Sequence, residues 1–230
     1  MCAVLCHAEL WNPVTQEWTT VSSSAVPRTY HSSAVLVPDG RVFVGGGGLC
    51  GGCGVNHLDA EMYSPPYLFN ADGSAAARPS ITLSANNAGR RPCIALSPVV
   101  PALLLSARAT SCRGPCMHLM PTRLSGRICV WLLVQRNEQA FVCAAPGGSV
   151  TANSSEGLSM VSMLRMGGHT HGISTDQRHL ELCGPSTTPC GGTSASVTVP
   201  GAGVAIPGFW MVFGMNAAGV PSEAQTLQVT

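Results

Sequence analysis

The chain has 230 residues, of which 45% are apolar and only 10% charged, against roughly 25% charged in an average soluble protein. Its 12 basic side chains are all arginine, scattered with at most Arg90-Arg91 adjacent, and the formal net charge is +1, so a phosphate-tracking surface for nucleic acid is excluded. The longest apolar stretch, Cys93 to Leu105, is too short for a bilayer-spanning helix and is broken by Pro98 and Pro101, which excludes a membrane span.

Taken in chain order, residues 8–48 read as short strands. Ala8-Glu9-Leu10-Trp11-Asn12-Pro13 supplies one and Gln16 to Val21 another, with a turn at Asn12-Pro13. His31 to Val37 is β-prone, Pro38-Asp39-Gly40 is a tight turn, and Arg41 to Val44 returns, so 31–44 is a predicted hairpin. Gly45 to Gly48 closes it. Ala60-Glu61-Met62-Tyr63-Ser64-Pro65 then echoes the pattern at 8–13. That echo gives a period close to the kelch repeat of about 50 residues, and strand, turn, strand, glycine run is the order of a propeller blade. A propeller needs about four to eight blades; one blade and the start of the next fit here.

After Pro79 the texture changes. Ile81-Thr82-Leu83 opens a strand, and strands are expected at 157–164, 194–199, 209–213 and 225–229, separated by Gly and Pro turns. Several short strands of this kind predict a β-sandwich. Between them, roughly 88–145 has no period of 2 or 3.6 and carries Cys93, Cys112, Cys116, Cys129 and Cys143. It reads as an irregular insertion, either natural or a product of faulty gene structure. The predicted division is 1–77 for the blade region and 78–230 for the sandwich.

Eleven cysteines imply pairing in an oxidising compartment with at least one thiol left over. Asn153-Ser154-Ser155 is a glycosylation acceptor triplet. The first residues, MCAVLCHAELW, have neither a basic n-region nor a small-residue cleavage site. A secreted chain without a leader is a contradiction that truncation at the N-terminus resolves, and that is the expectation.

Tyr30-His31 at the hairpin entrance and His169-Thr170-His171 after the 157–164 strand carry the candidate chemistry. Imidazole suits Cu(II), and phenolate is a hard anionic donor. On residue type alone, exposed loop histidines account for the same pairs. Cys50-x-x-Cys53 is redox-active, metal-binding or a short disulfide, with no second pair at zinc spacing beside it. Gly45–Gly48 lacks the Lys-Ser/Thr ending of a phosphate loop.

The longer strings decide more. Pro27-Arg-Thr-Tyr-His-Ser32, Pro38-Asp-Gly-Arg-Val-Phe43, Gly45-Gly-Gly-Gly-Leu-Cys-Gly-Gly-Cys53, Asn56-His57, Asp59-Ala-Glu61 and Pro65-Pro-Tyr-Leu-Phe69 occur in this order. Thr170-His171, Thr175-Asp-Gln-Arg178, Pro207-Gly-Phe-Trp-Met211 and Asn216-Ala-Ala-Gly-Val-Pro221 follow. Across about 8–83 and 147–230 the chain resembles the copper radical oxidases, the galactose oxidase and glyoxal oxidase family.

The resemblance implies an all-β chain: the last part of a kelch-like propeller, then an immunoglobulin-like sandwich whose loop delivers a histidine to a copper on the propeller axis. It assigns that histidine to His171, the second copper histidine to His31, and the axial tyrosine and base to Tyr30. It also implies a structural disulfide between Cys50 and Cys53. His169 departs from the family's usual residue and is either a bystander, which is the expectation, or a neighbour supporting the ligands; His57 is a loop histidine with no matched role. The family further needs a tyrosine cross-linked to a cysteine as radical cofactor, and Tyr30, Tyr63 and Tyr67, the three tyrosines present, leave that position unfilled.

The complete family enzyme is expected to be an extracellular monomer. It would oxidise a small alcohol, aldehyde or carbohydrate with O2 to give H2O2. The competing expectation for the chain as written is a non-catalytic sandwich module that binds glycan or cell wall.

Overall fold

The computed structural model describes residues 7–48, 56–85, 94–95, 139–140 and 142–230. Two compact units divide the chain, one of Met1–Cys93 with Phe141–Thr230 and one of Ile94–Ala140.

The first unit begins with a hairpin of β1 (Glu9–Asn12) and β2 (Glu17–Thr20). Asn12 builds its turn: the side-chain carbonyl accepts the Val14 and Thr15 N–H groups at 2.9 and 3.2 Å, an Asx turn. Trp11 and Trp18 face each other across the pair with ring centroids 5.1 Å apart. The expected 31–44 hairpin is present as β3 (Ser32–Leu36) and β4 (Val42–Gly46), and β5 (Ala60–Tyr63) adds to β4 to make a three-stranded antiparallel sheet. The Pro38-Asp39-Gly40 turn closes as read, with Gly40 N–H on the Val37 carbonyl at 2.9 Å and Arg41 N–H on the Asp39 carboxylate at 2.9 Å. The sequence echo is structural too, since each copy forms a strand, β1 and β5. The sheets described here do not close into a ring.

The sandwich opens with β6 (Ile81–Ala85). In the second unit the described residues are β7 (Ile94–Ala95) and β8 (Gln139–Ala140), an antiparallel pair; the remainder of the predicted insertion up to residue 141 lies outside the described residues. The first unit resumes with β9 (Val142–Ala144), β10 (Ser149–Ser154), β11 (Met160–Arg165), β12 (His169–Thr170), β13 (Ile173–Ser174), β14 (His179–Cys183), β15 (Ser194–Thr198), β16 (Gly208–Met215) and β17 (Gln225–Val229). Val142–Ala144, at the end of the segment read as an insertion, pairs in parallel with β17.

Two sheets form, in the orders β15-β10-β6 and β14-β11-β16-β17-β9. Alternation puts Val150 and Ala152 of β10 and Ala195 and Val197 of β15 inward. Opposite them lie Val161, Met163, Trp210, Val212, Leu227 and Val229, all at most 1% exposed. β16 reads poorly as an alternating strand because Trp210 to Gly214 is buried without interruption, as a central strand covered on both faces is. The 157–164 strand starts later than expected, at Met160, because Leu158 and Ser159 spend their N–H groups on the Gly192 and Met215 carbonyls. Cys183 and Cys190 form a disulfide that ties β14 to the loop before β15.

Arg78 joins the sandwich to the β3–β4–β5 sheet's turn. Its guanidinium donates to the Asp39, Pro221 and Ser222 carbonyls at 2.6, 2.9 and 2.6 Å, and Ala224 N–H donates to Pro38 O at 2.8 Å.

Candidate metal centre

Tyr30 and His31 sit in a tight turn. Ser32 N–H donates to the Thr29 carbonyl at 3.0 Å, and His31, third in that turn, has φ 66°, the pattern of a type II turn. His171 sits in a second tight turn. β12 and β13 pair through Thr170 and Ile173, leaving His171 and Gly172 as a two-residue loop with φ 57° and 73°. Positive φ at both central residues is a type I′ turn, which demands glycine or a tolerant polar residue. Non-glycine residues reach this region at some cost, and such strain clusters where function needs it. Four described residues other than glycine do so, and two of them are His31 and His171.

The two turns meet. The β12–β13 hairpin leans on β3, and a Cβ added to Gly172 would lie 3.8 Å from the Ser32 carbonyl. Ring centroids are 4.0 Å apart for Tyr30 and His31, 5.7 Å for Tyr30 and His171, and 4.8 Å for the two imidazoles, which meet edge-on. All three residues are exposed, Tyr30 by 51%. Thr170 Oγ1 lies 2.7 Å from His171 Nδ1.

The backbone under Tyr30 and His31 is clamped by the glycine run that closes the hairpin and by Arg28, to which sequence reasoning gave no role. Gly48 N–H donates to the Tyr30 carbonyl at 2.8 Å. Gly47, at φ 114°, passes so close that a Cβ there would stand 3.3 Å from Thr29 N. Arg28, its side chain 8% exposed, donates to the carbonyls of Gly46 and Asp59 at 3.0 and 3.1 Å and to the Asp59 carboxylate at 3.0 Å. The hydrogen bond from Arg28 holds the Asp59 carboxyl below its usual range. The Ser24 hydroxyl, 2.6 Å from Glu61 Oε2, does the same for Glu61. The signal for Arg28 was its place two residues before Tyr30 in Pro-Arg-Thr-Tyr-His.

The other candidates lie apart. His169 pairs with Ser174 in the stem of the hairpin, and among the described residues no three His, Cys, Asp or Glu side chains gather. His169 therefore adds no third imidazole, and the third ring of the cluster is that of Tyr30. His57 contributes its backbone N–H to the Gly47 carbonyl at 2.9 Å. Tyr67 commits its hydroxyl to the Gly40 carbonyl at 2.5 Å. Cys50 and Cys53 lie outside the described residues.

The two-sheet sandwich at the C-terminal end is that of an immunoglobulin-like, early-set domain. Residues 135–229 match the family described as galactose oxidase-like, early set domain. The chain is 34% identical over 223 residues, 96% of its length, to galactose oxidase of Gibberella zeae, and covers 24% of that protein. It is 26% identical over 225 residues, 94% of its length, to the aldehyde oxidase GLOX of Vitis pseudoreticulata, covering 33% of it. Among solved structures it is similar to a fungal alcohol oxidase of the AA5 family in complex with copper, at 33% identity and TM-score 0.67, over 98% of this chain and 36% of that one. The chain is thus homologous to galactose oxidase along most of its length and carries a galactose oxidase-like early-set domain. It spans about a quarter of the length of the curated galactose oxidases it matches.

Proposed function

We propose that this chain supplies the copper-binding, proton-accepting part of a copper radical oxidase centre, in which His31 and His171 would hold the ion through their imidazoles and Tyr30 would be its phenol-oxygen ligand and the base. The observation that carries the reading is the convergence of these three rings from two strained turns on separate parts of the fold. The donor chemistry fits: two imidazoles suit Cu(II), and the phenolate is an anionic oxygen donor.

In this reading residues 1–77 are the last part of a kelch-like propeller and 78–230 the sandwich, whose strands resume at Val142. The protein works outside the cell. The whole oxidase converts a primary alcohol or aldehyde hydrate and O2 to the aldehyde or acid and H2O2, a transfer of two electrons and two protons. Copper, when bound, supplies a Lewis acid and one of the two electron acceptors.

Within the chain, His31 and His171 fix the position of the ion relative to Tyr30. Tyr30, half-exposed and with its ring beside both imidazoles, would take the hydroxyl proton of the substrate at its phenol oxygen. The second electron acceptor is the family's cross-linked tyrosine, a part that neither Tyr67, bonded to Gly40, nor Tyr63 in β5 plays.

The test is titration of the purified chain with copper(II), followed by electron paramagnetic resonance. One saturable site, weakened at least tenfold by His31→Gln and by His171→Gln, is expected. Non-saturable binding indifferent to both substitutions would leave the chain a non-catalytic sandwich module.

A further inference from the structure

We propose that Thr170 is a positioning residue that fixes the tautomer of His171, so that Nε2 is the nitrogen offered to copper; the inference rests on the copper reading above. Thr170 Oγ1 lies 2.7 Å from His171 Nδ1. A neutral imidazole has one N–H and one lone pair, so the role of Nδ1 in this bond dictates the role of Nε2. With the hydroxyl oxygen as acceptor, Nδ1 carries the proton and the Nε2 lone pair is free. With the hydroxyl as donor, Nε2 carries the proton and is closed to a metal. Metal-ligating histidines almost always donate their second N–H to an oxygen, and that partner sets the ring orientation.

Thr170 is suited to the task by its place. It is β-branched, with a restricted χ1 in a strand, and its backbone is fixed on β12 by the pairing of Thr170 with Ile173. The type I′ turn that follows leaves His171 little backbone freedom. The base of the hairpin is pinned as well, where Thr175 donates both its N–H and its hydroxyl to the Gly168 carbonyl, at 2.9 and 3.0 Å. The hydroxyl is therefore held at one place relative to the ring, and the preceding residue becomes part of the site. Serine preserves the oxygen; valine preserves the shape and removes it.

The experiment uses the whole chain without metal and then with copper(II). Long-range nitrogen–proton NMR, above the pH range of the imidazolium, reads which nitrogen of His171 is protonated. We expect Nδ1–H in the wild type and in Thr170→Ser, and a shift toward Nε2–H in Thr170→Val. Copper(II) affinity is expected to fall about 10–100-fold in Thr170→Val and to be retained in Thr170→Ser. Pulsed electron paramagnetic resonance of the non-coordinating ring nitrogen moves with the valine variant alone. An Nε2–H tautomer in the wild type, or a valine variant equal to the wild type in tautomer and affinity, overturns the proposal while leaving the copper reading intact. Absence of saturable copper binding in the wild type overturns both.

Discussion

The imidazole rings of His31 and His171 meet edge-on with centroids 4.8 Å apart, although one belongs to a turn on the blade sheet and the other to the tip of a hairpin extending from the sandwich. Their meeting depends on how sandwich and blade are joined, and Arg78 is the residue that bridges them, with carbonyls of both parts on one guanidinium. Arg78→Ala leaves three carbonyls without that donor and is expected to cost about 2–3 kcal/mol. Hydrogen exchange should show early loss of protection at Ala224 N–H, which donates to Pro38, and copper affinity should fall with it. Unchanged protection there would mean the junction is held elsewhere.

The glycine run acts on the site through the backbone. Gly47 combines φ 114° with a close approach to Thr29 N, so Gly47→Ala both strains the chain and pushes on the turn that carries Tyr30 and His31. A loss of about 1–3 kcal/mol is expected, read by thermal unfolding, together with weakened copper binding. Gly73→Ala is the control: its φ is also positive but no atom lies within 4 Å of the added carbon, so it should cost stability and leave copper binding unchanged.

Acid should loosen the β3–β4–β5 sheet. Hydrogen bonding from Arg28 depresses the Asp59 carboxyl, and bonding from Ser24 depresses that of Glu61. Depressed folded-state values mean that these groups stabilise the fold fully above their unfolded values, about 4, and lose that contribution as the pH falls further, through the folded values. Asp59→Asn should flatten the acid limb of a stability curve followed by the fluorescence of Trp11 and Trp18, with little change at neutral pH beyond a constant offset.

The sandwich core sets stability without touching the histidine cluster. Trp210 is fully buried and donates its indole N–H to the Ile206 carbonyl at 3.2 Å. Trp210→Phe removes that bond and part of the ring, and Trp210→Ala should cost about 3–5 kcal/mol. Where the phenylalanine variant is folded, its copper affinity should equal that of the wild type.

Much of this was legible in the sequence because local signals agreed with the tertiary outcome. Pro38-Asp39-Gly40 between β-prone runs gave the hairpin, and the echo of 8–13 at 60–65 gave two strands. β16 was harder, since a strand buried on both faces loses the alternation that marks a half-exposed one. β12 and β13, two residues each, carry no periodicity at all, and His171-Gly172 stands where Asn-Gly would have announced a type I′ turn. The family resemblance named Tyr30, His31 and His171, but Arg28, Thr170 and Arg78 act through backbone carbonyls or a neighbouring ring, and their residue types alone carry no mark of that. The two histidines come from positions far apart in the chain, and it is the fold that puts their rings together.

The central claim is that His31 and His171 share one copper ion. Pulsed electron paramagnetic resonance of the copper(II)-loaded chain counts the imidazoles on the ion. The account predicts two in the wild type and one in either His31→Ala or His171→Ala. A wild-type spectrum with a single imidazole, or one indifferent to loss of His171, would contradict it.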